Sequence, residues 1–412
     1  MNNPFANAMT QLDKAATIMK LDRSVHEILR QPKRVLTVSI PVRMDDGSMK
    51  VFTGFRSQYT DALGPFKGGI RYHWNVTLDE VKALSFWMAL KCATVGIPLG
   101  GGKGGIIVNP KELSEGELER LSRGYIQKIY KYIGPTQDVP APDVYTTPKI
   151  MAWMLDEYEK LVGEHAPGVI TGKPLSVGGS QGRGFSTAQG GVYVLREAVK
   201  KKNMVPSETS VAIQGFGNAG SFMAKILAKE GYRIVAVTDS QGGAMNRSGL
   251  HISELEAYKR ERGTVLGAPA TEPISNDDIL TLDADVVVPA ALENVITATN
   301  APMIKAKIIL ELANGPVTPE ADEILHKNGV LFVPDILSNA GGVTVSYFEQ
   351  VQNAYNHYWT EEQVLKKLEA IMVAAFSAVW ETKEKHNIDM RTAAFVLAVG
   401  RIAEGLLARG LV

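Results

Sequence analysis

The spacing of apolar positions changes along the chain, and each change predicts a different element. Residues 6–20 carry apolar side chains at helical spacing and predict an amphipathic helix. Two runs with strand character follow, "RVLTVSIPVR" (34–43) and "MKVFTGFRSQY" (49–59), with Asp46-Gly47 between them as a hairpin signal. At Thr77 the period returns to helical. Thr77 and Glu80 form a capping box, Val81, Leu84, Met88 and Cys92 follow on one face, and Lys91 sits on that apolar side. Beyond about residue 200, apolar strand candidates alternate with helical segments: "SVAIQ" (210–214), "RIVAVTD" (233–239), "ADVVVPA" (284–290), "KIILELAN" (307–314) and "VLFVPD" (330–335). Near-continuous apolar runs separated by helices predict a parallel sheet covered on both faces. From Thr360 the chain reads as helix, with Val364, Leu368, Met372 and Phe376 among its apolar positions.

The length of 412 residues suffices for two domains, each with its own core, and the glycine-dense "SVGGSQGRG" is the expected junction. Hydrophobic content of 45% with 21% charged excludes a disordered or fibrous chain. Forty-four basic and 44 acidic side chains balance, so the basic footprint of a nucleic-acid binder is missing. The single cysteine, Cys92, forms no internal disulfide, and with seven scattered histidines no zinc cluster is expected, nor any other metal site. Neither a signal peptide nor a membrane span is read from the sequence, so a cytoplasmic protein without a membrane role is expected.

Two glycine-rich stretches hold the candidate chemistry. "IPLGGGKGG" (97–105) sets Lys103 among five glycines. It is no phosphate loop, because Ile97 stands where that motif needs glycine and Gly104 where it needs Ser or Thr. A mobile turn carrying a solvated lysine stays open at this point. The second stretch is stronger. "SVAIQGFGNAGSFMAKILAKEGYRIVAVTDS" has G-x-G-x-x-G at Gly215, Gly217 and Gly220, directly after an apolar strand and opening a helix. Phe216 and Asn218 fill the loop, and the next strand ends in Asp239, near the offset of about 20 residues at which an acid meets the ribose hydroxyls. This predicts a dinucleotide site with pyrophosphate at the helix N-terminus. Asp239 repels a 2′-phosphate and the following Ser240-Gln241 supply no cation, which favours NAD; a distant arginine such as Arg247 leaves NADP open.

Hydride transfer needs a substrate held against the nicotinamide, and the N-terminal half offers cations for an anionic one. Lys67 lies in "GPFKGGIRYH", Lys91 in "WMALKCA", Lys103 in "GGGKGG", and a proline-flanked carboxylate, Asp143, in "VPAPDVY". Together with the dinucleotide fingerprint and "DILSNAGGVTVSYFE", these segments resemble the glutamate dehydrogenases within the Glu/Leu/Phe/Val amino-acid dehydrogenase family, in order and over nearly the whole chain. The resemblance implies reversible oxidative deamination of L-glutamate to 2-oxoglutarate and ammonium with NAD(P). It implies Lys103 as the catalytic lysine and Asp143 as the proton-shuttling carboxylate. It implies Lys91 on the substrate α-carboxylate and Lys67 with Ser346 on the distal γ-carboxylate. Arg183 and Thr187 are similar to family positions near the nicotinamide, and Asn314 and Asn339 to cofactor or substrate contacts.

The implied architecture is α/β and two-domain. A Rossmann-type doubly wound parallel sheet occupies 179–389, and an α/β substrate and oligomerisation domain occupies 1–178, to which a helix at about 390–412 returns. A homohexamer is implied, with a mixed oligomer of homologous subunits left open. Two other readings stand beside this one. A branched-chain or aromatic amino-acid dehydrogenase would line the distal pocket with apolar groups, because a buried lysine without a partner is costly, whereas this chain keeps Lys67. A catalytically weak regulatory subunit is expected to lose catalytic groups, yet Lys103 and Asp143 both stand.

Overall fold

The computed structural model describes residues 3–411. Its contacts divide the chain into two compact units. Unit one holds the residues up to Arg183, the stretch 343–366 and the chain from Phe395 onward; unit two holds 184–342 and 367–394. The stretch 343–366, expected among residues 179–389, therefore belongs with the N-terminal unit. The cause is polar as well as apolar. On the helix Gly341–Tyr355, the buried Glu349 accepts from the backbone N–H of Gly172 (2.9 Å) and pairs with Lys173, while Gln350 and Asn353 donate to the carbonyls of Pro135 and Gly178.

Unit one is built on a five-stranded mixed sheet: β1 (Arg34–Arg43), β2 (Met49–Thr60), β3 (Phe66–His73), β4 (Gly101–Ile107) and β5 (Asp138–Pro142), in the order β1-β2-β4-β3-β5. β1 and β2 form the expected hairpin, with Gly47 at φ +85° in its turn. β4 is antiparallel to β2 and parallel to β3. Ile40, Ile70, Tyr72 and Ile106 from the sheet pack with Leu121, Tyr125 and Met154 from the helices Glu115–Ile129 and Pro148–Val162. Burying each such side chain stabilises the fold by about 1.5–3 kcal/mol.

The glycine-lysine stretch is thus a central strand rather than a turn. Its glycines are required by packing: a Cβ at Gly101 would lie 2.2 Å from the Ser85 carbonyl oxygen, and one at Gly100 2.0 Å from that of Thr60. On β3, a Cβ at Gly68 would meet the Gly102 carbonyl oxygen at 1.5 Å. Beneath these strands a fully buried ion pair joins Arg56 to Asp138, and Arg56 also donates to the Gly68 carbonyl at 3.1 Å. Removing one partner of such a pair costs about 3–5 kcal/mol.

Unit two holds a seven-stranded sheet of order β12-β11-β10-β6-β7-β8-β9. Its strands are β6 (Ser210–Gln214), β7 (Arg233–Asp239), β8 (Gly242–Met245), β9 (Glu272–Ile274), β10 (Val286–Pro289), β11 (Ile308–Leu310) and β12 (Leu331–Val333). β12 through β7 are parallel and doubly wound, and β8 and β9 add an antiparallel edge. The chain leaves β6 for β7 on one side and later returns to β10 on the other, which makes the carboxyl end of β6 a topological switch point. Ala212, Val287, Ile309 and Phe332 bury one face of this sheet. Among the described residues no helix is long and apolar enough to cross a membrane.

Candidate active site

In unit one, β4 carries Lys103 into the interior, where it is 6% exposed. Its ammonium lies 2.8 Å from Asp143 Oδ2, in the turn that follows β5. The Asp143 backbone N–H donates to Thr146 Oγ1 at 2.7 Å, and that hydroxyl lies 2.9 Å from the Ile70 carbonyl oxygen, so the turn is tied to β3. The sequence reading passed over the next partner. Arg71, also on β3, donates through Nε to the same Oδ2 at 3.0 Å and pairs through Nη1 with Glu80. Glu80 is the capping-box acid of the helix Leu78–Val95, so one side chain both starts that helix and anchors the arginine.

The electrostatics follow from this packing. Burial lowers the pKa of Lys103, with Arg71 adding to the effect and Asp143 opposing it. Burial would raise the Asp143 carboxyl, but Lys103 and Arg71 outweigh it and hold it at about 2. The arrangement therefore contains a lysine eased toward its neutral form beside a carboxylate kept ionised.

Lys67 is more deeply buried, at 1% exposure. Its three N–H groups reach the carbonyls of Val139 (3.0 Å) and Pro140 (3.3 Å) and Thr171 Oγ1 (2.8 Å). Burial brings its pKa down to about 7, against the opposing field of Glu349. Ser346, the residue expected to work with it, is buried on the helix Gly341–Tyr355 and accepts from Arg183 Nε at 3.1 Å. Arg183 has its pKa lowered by burial, with Glu349 opposing. Lys91 lies half-buried on the helix Leu78–Val95, on one stripe with Leu84 and Met88. Thr171, Lys173 and Glu349 escaped the sequence reading; the run "VITGKP" held only weak signals, a glycine and a lysine before proline.

Unit two places the fingerprint as expected, between β6 and the helix Asn218–Lys229. Gly215 takes φ +100°, and a Cβ at Gly220 would meet the Gly215 carbonyl oxygen at 1.8 Å, so both positions exclude other residues. Gly217, by contrast, faces space with no atom within 4 Å of a Cβ, leaving the backbone N–H groups at the helix start free of side-chain cover. A cavity of about 470 Å³ opens beyond the end of β7, lined by Ser240, Gln241, Leu266, Pro273 and Asn276 among others. Asn339 donates to Leu312 O, Ala313 O and Asn314 Oδ1, while its own buried Oδ1 has no hydrogen-bond partner among the described residues. Thr187 sits half-buried in the first turn of the helix Ser186–Lys201, and Phe216 is buried. An uncovered loop, a cavity beyond the end of β7 and an orphaned amide oxygen together fit a bound dinucleotide.

Asp239 is where sequence and structure differ most. Its carboxylate is only 9% exposed and already accepts from the Gln241 N–H (3.0 Å), Thr264 Oγ1 (2.9 Å) and the Val265 N–H (2.8 Å). A cation stands beside it as well: Lys259 Nζ lies 3.2 Å from Oδ2 and donates to the Phe216 carbonyl at 2.7 Å. The sequence offers Ser240-Gln241 without a cation and Arg247 as a more distant one, whereas the cation beside Asp239 is Lys259 of the helix Ile252–Arg262.

Known proteins are similar to this chain over nearly its whole length. An NAD-specific glutamate dehydrogenase of Clostridioides difficile is 51% identical over 99% of this chain and 98% of its own. An NADP-specific glutamate dehydrogenase of Synechocystis is 48% identical, covering 98% of this chain and 97% of its own. The solved hetero-hexameric glutamate dehydrogenase from Thermus thermophilus superposes with a TM-score of 0.93 at 36% identity, over 100% of this chain and 98% of that one. Residues 32–160 match the model of the Glu/Leu/Phe/Val dehydrogenase dimerisation domain, and residues 178–410 match that of Glutamate/Leucine/Phenylalanine/Valine dehydrogenase. With matches of this extent and order, the chain belongs to the Glu/Leu/Phe/Val dehydrogenase family.

Proposed function

We propose that this protein is a glutamate dehydrogenase, catalysing L-glutamate + NAD⁺ + water ⇌ 2-oxoglutarate + ammonium + NADH + H⁺. The observation that carries the reading is the buried contact between Lys103 and Asp143, 2.8 Å apart on adjoining elements of unit one. When bound, the nicotinamide supplies the hydride acceptor for the substrate Cα. The pyrophosphate belongs at the uncovered loop of Gly215, Phe216, Gly217, Asn218 and Gly220, with Arg183, Thr187, Asn314 and Asn339 toward the nicotinamide end.

The chemistry left to the protein is proton transfer. Neutral Lys103 takes a proton from the water that attacks the iminium carbon of the oxidised substrate. Asp143 exchanges protons with the departing nitrogen. At a pKa of about 2 it is a poor proton acceptor while both cations face it; once Lys103 is neutral, that hold relaxes and the carboxylate can accept. Lys91 binds the α-carboxylate.

Selection of glutamate falls to Lys67 and Ser346. With only neutral acceptors in hydrogen-bond contact, the buried Lys67 ammonium is costly to keep charged. A γ-carboxylate beside it restores the charged form, and an apolar amino acid leaves it unmatched. Leucine and phenylalanine are thereby disfavoured. For the cofactor we place NAD ahead of NADP, because Asp239 puts a carboxylate at the end of β7. The relatives include enzymes of both specificities, as their names state. For assembly we propose a homohexamer, which native mass measurement of the purified chain would distinguish from a mixed oligomer.

The test is the initial rate of NADH or NADPH formation with glutamate, leucine and phenylalanine in turn, each with NAD and with NADP. Glutamate with NAD should dominate. A dominant leucine or phenylalanine rate would overturn the substrate reading, and the absence of any rate would favour a regulatory subunit.

A further inference from the structure

The geometry points to Lys259 as a specificity-determining residue: its ammonium partly neutralises Asp239 and lets the site take a 2′-phosphorylated dinucleotide as well as NAD. The inference rests on the reading of unit two as the dinucleotide site. Lys259 Nζ bridges two parts of that site, the Phe216 carbonyl in the fingerprint loop at 2.7 Å and Asp239 Oδ2 at 3.2 Å. Both oxygens of Asp239 are further engaged, Oδ1 by the Gln241 N–H and Thr264 Oγ1, and Oδ2 by the Val265 N–H.

Two consequences follow. A carboxylate accepting from three neutral donors and an ammonium has little capacity left for ribose hydroxyls, so its reward to NAD is smaller than that of an open acid. Its repulsion of a phosphate is also smaller, because the nearest cation is built in. Any group close enough to be read by Asp239 is within reach of an ammonium with three donors and a flexible stem, about one quarter exposed. A lysine ammonium binds phosphate well as a point charge. Neither sequence-adjacent position supplies this charge, since Ser240 and Gln241 are neutral.

The test is fluorescence titration of the intact protein with NADH and with NADPH, which reads binding without turnover. In the Lys259→Met protein the ratio of the NADPH to the NADH dissociation constant should rise about tenfold or more, the effect of deleting one charge-assisted contact. Lys259→Arg should keep the ratio within about threefold of the starting protein, since the charge is retained. Asp239→Asn should lower the ratio, and should do so far less when combined with Lys259→Met. If Lys259→Met weakens both dinucleotides equally, or changes neither, Lys259 is only a brace on the loop and the proposal is wrong. The starting protein's own preference is a separate outcome. Tighter binding of NADPH than NADH would overturn the assignment of NAD as favoured cofactor, while the change of ratio on substitution still decides the role of Lys259.

Discussion

Two glycine runs, "GGGKGG" in unit one and "GFGNAG" in unit two, look alike in sequence and differ at one glycine, Gly217. In the first, the missing Cβ atoms are places where the protein touches itself: Ser85 O at 2.2 Å from a Cβ on Gly101, and Tyr125 Oη at 2.8 Å from one on Gly104. In the second, Gly217 has nothing within 4 Å and its backbone is left for something else to approach. Glycine density therefore marks both a central strand at its tightest point and a ligand cradle, and only the neighbours of each Cβ tell them apart. From sequence alone the first run stays open as a mobile turn with a solvated lysine. In the structure those glycines let β4 lie against β2, β3 and the helix Leu78–Val95, and Lys103 gains its position from that packing.

Exchanging the roles experimentally should give the largest effect. Gly101→Ala forces a Cβ against backbone atoms at 2.2 Å and should cost about 4 kcal/mol or more, seen as loss of folded protein or a large drop in the urea midpoint. Gly217→Ala should leave the fold intact by circular dichroism and weaken NADH binding about tenfold, because it intrudes only on open space. Equal damage to folding from both would erase the distinction.

Next in size is Lys67→Met. Glutamate turnover efficiency should fall about 100-fold or more, with leucine or norleucine gaining, since the charge partner of the γ-carboxylate is gone. The same change should raise thermal stability at neutral pH. An ammonium whose folded pKa is depressed to about 7 is destabilising in full below that pH, and the cost is relieved as pH rises toward the unfolded value near 10.4. The gain in melting temperature should thus be greatest in mild acid and fade in alkali. A stability gain that is flat with pH would contradict the burial argument.

The smallest expected effect concerns Arg71. Its charge lowers the pKa of Lys103 and helps keep Asp143 ionised. In Arg71→Met, Lys103 should hold its proton to higher pH, so the rise of glutamate oxidation with pH should move to the alkaline side. An unmoved profile with reduced rate would leave Arg71 as a structural brace.

How much of this could be read from sequence follows the range of the interactions. The strands "RVLTVSIPVR" and "SVAIQ" appear with the expected limits because alternating or continuous apolar runs report their own burial. The fingerprint was equally local, since loop, helix and acid occur within one βαβ unit. β3 and β5 were missed because "FKGGIRYH" and "DVPAP" carry glycine, proline and charge, and qualify as strands only through pairing, β3 with the glycine strand β4 and β5 with β3. Arg71 and Lys259 were missed for a related reason. Their partners are distant in sequence, Asp143 for the first and Asp239 for the last, and ordinary charged residues carry no local sign of a buried partner. Lys173 and Glu349, both fully buried and 176 positions apart, are the extreme case.

The central claim is that the lysine of β4 performs the chemistry and does not hold the dinucleotide. It is tested most directly by Lys103→Ala, with glutamate turnover and NADH binding measured on the same preparation. Turnover should fall by about 10³-fold or more while the NADH dissociation constant stays within about twofold. Substantial remaining turnover, or loss of NADH binding in step with turnover, would contradict the account.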